Sequence, residues 1–461
     1  MIRVQHISVP LDYTDESLRA LVLKKFKLSP GQLAGITLVR RSVDARNKED
    51  VHFVLTLDLS LKDEKTALKR NKSLSPAPIH SLPSLPKSGF SKPPLVVGAG
   101  PAGLFAALTL ARAGASPILI ERGKPVDERT GDVARMTEFG ILSEESNVQF
   151  GEGGAGAFSD GKLTCGIQSP WIHEILRTFV EHGAPESILT DQLPHIGTDR
   201  LKGVVASIRE EIRTLGGTVF FETRLEKLII RGNKAEGAVV SHLNELREIL
   251  TDTVLLCIGH SARDTVRTLY SEGVNMAQKP FAIGVRIEHP RILINKAQFG
   301  SFAENPRLGA ASYKLNCRTE DGRGVYTFCM CPGGHVIAAA SQQGSVVTNG
   351  MSYHARSAEN SNAALLTGIR PEDFGDSHPL SGFALQQKIE SAAYLAANSN
   401  ARNIYSGSSG ISVPDFLAPA QRVEDFLNGR PSVRFGDVVP SYRPGVTPSD
   451  LRAVLPEFVI E

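Results

Sequence analysis

The residues best suited to chemistry lie between Leu95 and Gly123, where an apolar triplet, Leu95 to Val97, runs into Gly98-Ala99-Gly100-Pro101-Ala102-Gly103. The glycines stand in G-x-G-x-x-G spacing, which suits the grip on a dinucleotide. Gly98 permits a tight turn, Gly100 removes a side chain where backbone must approach a pyrophosphate, and Gly103 lets the next helix pack close to the sheet. The N-terminus of that helix offers unpaired N–H groups and partial positive charge to phosphate. Glu121 stands 23 residues after Gly98, where a carboxylate can accept a hydrogen bond from a ribose 2′-OH.

The elements that must position these residues are legible. Leu95 to Val97 and Ile118 to Ile120 read as short buried strands, and the Ala- and Leu-rich run from Ala102 to Arg112 as a helix stopped by Gly114. The run before Ala111 is broken by glycine and proline, which excludes a spanning helix. A second glycine-dense stretch covers 149–166, anchored by Phe150, Phe158 and Leu163. Such a segment leaves N–H groups free and lets backbone lie against a flat or phosphorylated ligand. Leu201 to Leu215 carries an apolar face at helical spacing, and Thr253 to Ile258 reads as a buried strand ending at Gly259. Alternating strands and helices predict a mostly parallel sheet with helices on both faces.

The rest of the chain divides around this unit. Residues 1–72 predict a small β-α-β-β domain with 14 Lys and Arg against 9 Asp and Glu. Its basic face could dock RNA or an acidic partner; a solvated face is favoured, because no aromatic residues interleave with the charges. Residues 73–94 hold six prolines and read as an extended linker. Residues 95–275 form the nucleotide domain and 276–440 a mixed α+β substrate or cap domain. The net charge of +2 argues against nucleic-acid or membrane binding as a global property. The N-terminus has no apolar signal core, so a cytoplasmic location is expected. Five cysteines at irregular spacing form no disulfide framework, and no His/Cys set has zinc-ligand spacing, so no metal is expected.

The block 95–123 resembles FAD-binding proteins of the glutathione-reductase-like two-dinucleotide-binding flavoprotein superfamily. The strand ending Cys257-Ile258-Gly259 is similar to that superfamily's second motif, which usually ends Ala-Thr-Gly. More narrowly, the blocks at 150–163, 326–335, 349–356, 382–390 and 440–446 resemble an uncharacterised family of bacterial FAD-dependent dehydrogenases. The resemblance implies an α/β fold: an FAD-binding Rossmann-like parallel sheet, an inserted mixed α+β substrate domain and the small β-α-β-β N-terminal domain. It implies that Gly98, Ala99, Gly100, Pro101, Ala102, Gly103, Glu121 and Arg122 hold adenosine and pyrophosphate. Arg129 would reach a phosphate or ribose, and Leu225 would lie near adenine. Gly154, Gly156, Ser159 and Lys162 would follow the pyrophosphate and ring, and Gly259 would approach the cofactor. Lys162 reads either as a partner for the N1–C2 edge of reduced flavin or as a phosphate or surface contact. Family members continue past the position of Glu461 into a glycine-rich block over the flavin ring. Residues 441–461 are therefore expected to begin a return to the FAD domain in a C-terminally truncated chain that binds FAD weakly.

The expected activity is an FAD-dependent oxidoreductase of unknown substrate, with hydride passing to or from flavin. NAD(P)H would serve as a transient co-substrate, since no second fingerprint of comparable quality marks a dedicated nicotinamide domain. The alternative is a flavoprotein that docks RNA or a protein through its basic N-terminal domain. Catalytic residues are not identified by the sequence. His260, His335 and His354 are candidates for acid–base work or for structural roles, and Cys329-Met330-Cys331 reads as a redox dithiol or as buried free cysteines.

Overall fold

The computed structural model describes residues 1–70, 74–78, 84–405 and 415–461. The N-terminal domain runs β1 (Ile2–Val9), α1 (Asp15–Phe26), β2 (Leu33–Asp44) and β3 (His52–Leu61), then α2 (Glu64–Arg70). Alternation along β3 puts Phe53, Leu55, Leu57 and Leu59 in one core with Val4 and Val22. A reciprocal capping box between Thr14 and Ser17 starts α1. The 73–94 linker is not wholly free of structure: Ser75–Pro76 forms β4 on the outer edge of β1. Within it, 73 and 79–83 lie outside the described residues. Arg41 pairs with Asp191 at 2.8 Å and Arg46 with Asp44, so part of the basic face is already neutralised.

The nucleotide domain is built on β5 (Leu95–Val97), α3 (Pro101–Arg112), β6 (Ile118–Ile120), α4 (Val126–Phe139), α5 (Trp171–Glu181), α6 (Thr198–Thr214) and β7 (Thr218–Phe220). It continues through β8 (Thr223–Arg231), β9 (Lys234–His242), β10 (Glu245–Leu250), β11 (Val254–Leu256) and α7 (Arg263–Ser271). Strands order as β11-β5-β6-β7, all parallel. Period-2 alternation then sorts the side chains. Val96, Leu119 and Val219 face α3 and α6, against Leu104, Leu108, Val204, Ile208 and Ile212. Leu95, Val97 and Ile120 face the other way, against Leu225, Ala238 and Val240 of the β8-β9-β10 meander. That corrects the expectation of helices on both faces: an antiparallel sheet covers the second.

The cap domain holds β12 (Phe281–Pro290), α8 (Arg291–Phe299), β13 (Asn316–Arg318), β14 (Gly324–Cys331), β15 (His335–Ala338), β16 (Thr348–Met351), β17 (Asn360–Ile369) and α9 (Ser381–Tyr405). Its main sheet is antiparallel in the order β12-β17-β14-β13. The segment after 440, expected to begin a return to the FAD domain, adds no strand to the β11-β5-β6-β7 sheet. It contributes β19 (Val446–Pro448), which pairs in parallel with β18 (Ala418–Ala420), and Phe458 lies under the Arg323 guanidinium at 4.6 Å. Tyr442 and Phe416 share a core with Val336 and, from α4, Met136.

Leu119 is fully buried between β5, β7 and the helices. Leu119→Ala is expected to lower unfolding free energy by about 2–5 kcal/mol, the usual cost of emptying a buried Leu site. Chemical denaturation followed by circular dichroism measures it; a loss below about 1 kcal/mol would mean this layer is not packed as described.

Candidate cofactor site

The C-terminal ends of β5, β6 and β11 open into a cavity of about 540 Å³, within the size range of cofactor pockets. Its walls include Gly98, Gly100, Pro101, Ala102, Glu121, Arg122, Gly154, Gly156, Leu225 and Gly259. Ten of the residues singled out in the sequence thus meet at one opening, the crevice outside the carboxyl ends of parallel strands where ligands bind in such folds. Gln149, Phe150, Thr223, Arg224 and Ser261 also line it. Gln149 and Phe150 belong to the glycine-dense stretch that the sequence marked, with Phe150 as an anchor; Thr223, Arg224 and Ser261 were not singled out. Thr223 and Arg224 open β8 just before Leu225, and that closeness to Leu225 was the available signal.

The glycines are held by contact as well as by torsion. Gly98 has φ +99°, and a Cβ there would run into the Cys257 carbonyl. A Cβ on Gly103 would collide with the Gly98 carbonyl oxygen, so helix and turn touch through bare backbone. The N-terminus of α3 has no side-chain cap at Gly100. Its first N–H groups therefore remain as donors facing the cavity. A side chain at Gly100 would point toward Gly154 across the opening. The cradle is one that a pyrophosphate fits and a Cβ would fill.

Glu121 is 5% exposed and joins three segments through its carboxylate. One carboxylate oxygen accepts Ala99 N–H at 2.8 Å; the other accepts Gly123 N–H at 2.9 Å and Gly151 N–H at 3.0 Å. Backbone bonds run in parallel, with Gly153 N–H donating to Ala99 O at 2.8 Å and Thr223 N–H to Glu121 O at 2.8 Å. The turn, the glycine-dense loop and the start of the meander are therefore tied through one residue.

Arg129 departs from its expected role. It is fully buried, and its guanidinium donates to the carbonyls of Asn147 at 2.7 Å, Val148 at 2.8 Å and Glu152 at 2.6 Å. Burial pushes it down to about 10, while the Glu121 and Glu152 carboxylates oppose that. It remains a cation at neutral pH and shapes the loop, stacked over Phe158 at 4.9 Å, rather than lining the cavity. Ser159 likewise ties the loop, donating to Gly156 O at 2.8 Å. Arg122 does line the cavity, stacked 4.3 Å over Phe150 and bonded to Glu145 at 2.7 Å and Asp264 at 2.9 Å. Burial opposes its charge, and those two carboxylates outweigh burial, raising it above the ordinary guanidinium value.

Lys162 lies beyond the cavity wall. Its ammonium sits 3.0 Å from Asp160 and 3.9 Å from the Cys331 sulfur. Of the three histidine candidates, only His260 lines the cavity; burial, then the Arg263 cation, hold it below the ordinary imidazole value. His354 is anchored, its Nδ1 3.0 Å from Ile196 O and its ring stacked on His195 at 5.1 Å. His335, lowered chiefly by burial, packs edge-on to Tyr353.

Glu121→Gln replaces an acceptor of three N–H groups with an amide that turns donors toward donors. Losing one charge-assisted bond costs about 1.5–3 kcal/mol, so FAD should bind about 10–100-fold more weakly. Quenching of flavin fluorescence on titration measures this. Unchanged affinity would show that Glu121 does not set the cradle.

Comparison with known proteins agrees with this geometry. An FAD binding domain model matches residues 93–138, and the model of an FAD-dependent protein, C-terminal domain-like, matches 280–461. A domain of unknown function matches 1–60. An uncharacterised protein of Clostridium beijerinckii is 45% identical over 466 residues, covering 100% of this chain and 84% of that one. Among solved structures, the chain is similar to glycerol-3-phosphate dehydrogenase from Bacillus halodurans complexed with FAD (12% identity, TM-score 0.30, 71% of this chain and 55% of that one). It is also similar to 3-ketosteroid-delta4-(5alpha)-dehydrogenase from Rhodococcus jostii (14% identity, TM-score 0.27, 56% and 70%). At TM-scores this low, the likeness decides nothing about the chemistry. The FAD-binding match covers the glycine turn and Glu121, and FAD is the cofactor of this fold. The chain belongs to the family that includes the Clostridium beijerinckii protein, a family of FAD-dependent proteins.

Proposed function

We propose that the chain is an FAD-dependent oxidoreductase, a dehydrogenase that passes hydride between flavin and a substrate not yet identified, with NAD(P)H as transient co-substrate. The observation that carries this reading is the cavity in which the Gly98–Gly103 turn, Glu121, Gly154, Gly156, Leu225 and Gly259 converge, under an FAD-binding family match. FAD, when bound, supplies the two-electron chemistry, and the protein supplies binding, orientation and electrostatics.

The chain's own residues then have separable tasks. The free N–H groups at the start of α3 receive the pyrophosphate. The carboxylate oxygen of Glu121 that takes only the Ala99 N–H has one lone pair left, and it accepts from a ribose hydroxyl. Leu225, 4% exposed, gives adenine an apolar wall. Gly154 and Gly156 let backbone lie along the cofactor, and Arg129 and Ser159 keep that loop in shape from behind.

Two measurements on the purified chain test it. FAD should saturate the wild type with one site, and Gly100→Val should abolish saturable binding by filling the cradle. Under anaerobic conditions NADH or NADPH should bleach the bound flavin. Equal FAD binding by Gly100→Val would remove the site assignment; bound flavin that neither nucleotide bleaches would remove the nicotinamide step.

A further inference from the structure

Outside the cofactor cavity, the sharpest concentration of reactive groups lies where the glycine-dense loop reaches the cap sheet. The loop lines the cavity as far as Gly156 and six residues later delivers Lys162 against Cys331. Six residues span at most about 20 Å, so the chain passes directly from the cavity wall to the thiols. Cys331 is fully buried at the end of β14. Its thiol donates to the Cys329 carbonyl oxygen at 3.3 Å, and the two sulfurs, two residues apart on one strand, shift each other's titration. The strand is bulged between Phe328 and Cys331, and Cys329 has φ +45°. A left-handed β-strand residue that is not glycine is costly, and such outliers concentrate at functional sites.

The surroundings are cationic. Arg286 on β12 donates to the Cys329 carbonyl at 2.9 Å and to Asn362 Oδ1 at 2.9 Å, with its terminal nitrogen 3.8 Å from the Cys331 sulfur. Lys162 approaches from the loop. The carboxylate in the cluster, Asp160, is shared between Lys162 and Arg356, whose Nε bonds it at 2.9 Å. Three cations thus face one carboxylate, and a thiolate restores part of the balance. The Cys331 hydrogen bond, then Lys162 and Arg286, pull Cys329 down to about 6 against burial and Asp160. Cys331 is pushed up, first by its bond to Cys329 and then by burial.

We propose that Cys329 and Cys331 form a dithiol–disulfide couple that exchanges two electrons with the bound flavin. The Cys329 thiolate and the Cys331 thiol form an S–S bond. The Cys331 S–H bond breaks, and its proton and the electron pair reduce FAD to FADH⁻. Charge and atoms balance, and the reverse step regenerates the dithiol. The proposal rests on the FAD reading above for its electron partner, while the disulfide itself can be seen without flavin.

The test is an anaerobic dithionite titration of the FAD-loaded protein after mild oxidation with diamide and its removal. A disulfide is a two-electron couple, so wild type should take up about four electrons per FAD, and C329S and C331S about two. C165S and C317S, which remove exposed thiols, should behave as wild type. Two electrons per FAD in oxidised wild type overturns the proposal and leaves FAD binding intact. If the chain holds no FAD, the FAD reading fails, and thiol counting decides the couple. Five thiols in the reduced denatured chain should fall to three, with peptide mass placing the loss at 329–331; retention of both thiols there overturns it. Alkylation of Cys329 should rise with pH about a half-point near 6, because the thiolate is the nucleophile. A half-point equal to that of exposed Cys165 overturns the cationic activation.

Discussion

The structure depends on one buried carboxylate and on what answers it. Glu121 is nearly sealed from water, yet it takes three backbone N–H groups from three separate segments. An ionised carboxylate can be buried when its lone pairs are filled. Arg129 is its counterpart: it collects the carbonyls of 147–152 as Glu121 collects the N–H groups at 99, 123 and 151. The two meet at Gly151, whose N–H goes to Glu121 and whose carbonyl faces Arg129, and the Glu121 charge favours the Arg129 cation. The loop can therefore be dense in glycine and still hold one shape. A cofactor cradle made of backbone needs this, because it has few side chains of its own to pack.

The same arrangement explains what could be read in advance. The turn from Gly98 to Gly103 is legible because each glycine answers a distinct contact, and α6 because Ile208 and Ile212 lie on one apolar stripe. The helix α4 was not legible, because its buried face carries Arg129 and Asp132 beside Val126 and Met136. No apolar period announces it. β17 hides for a related reason: this central cap strand opens Asn-Ser-Asn, all three buried. Polar groups inside the protein defeat a reading that equates polarity with surface.

The site residues divide along the same line. Those whose job is to be small, or to sit at the end of a strand, lie where the pattern puts them. Among those that carry charge, Glu121 and Arg122 line the cavity, but Arg129 turned inward to the loop and Lys162 went past the cavity to the thiols. A charged side chain is several bonds long, and its destination is fixed by partners distant in sequence. Asp264 for Arg122 lies 142 residues away, and Cys331 for Lys162 lies 169 away. Local sequence places the backbone of such residues and leaves open which way the head group reaches.

If the backbone cradle tied together by Glu121 holds the adenosine and pyrophosphate of FAD, a crystal structure of the FAD complex will show it. Pyrophosphate density is expected at the N-terminus of α3 beside Gly100 and Gly154, adenine against Leu225, and a ribose hydroxyl on Glu121, with Arg129 still bound to the carbonyls of 147–152. Density for FAD elsewhere, or Arg129 released from the loop to bind phosphate, would contradict it.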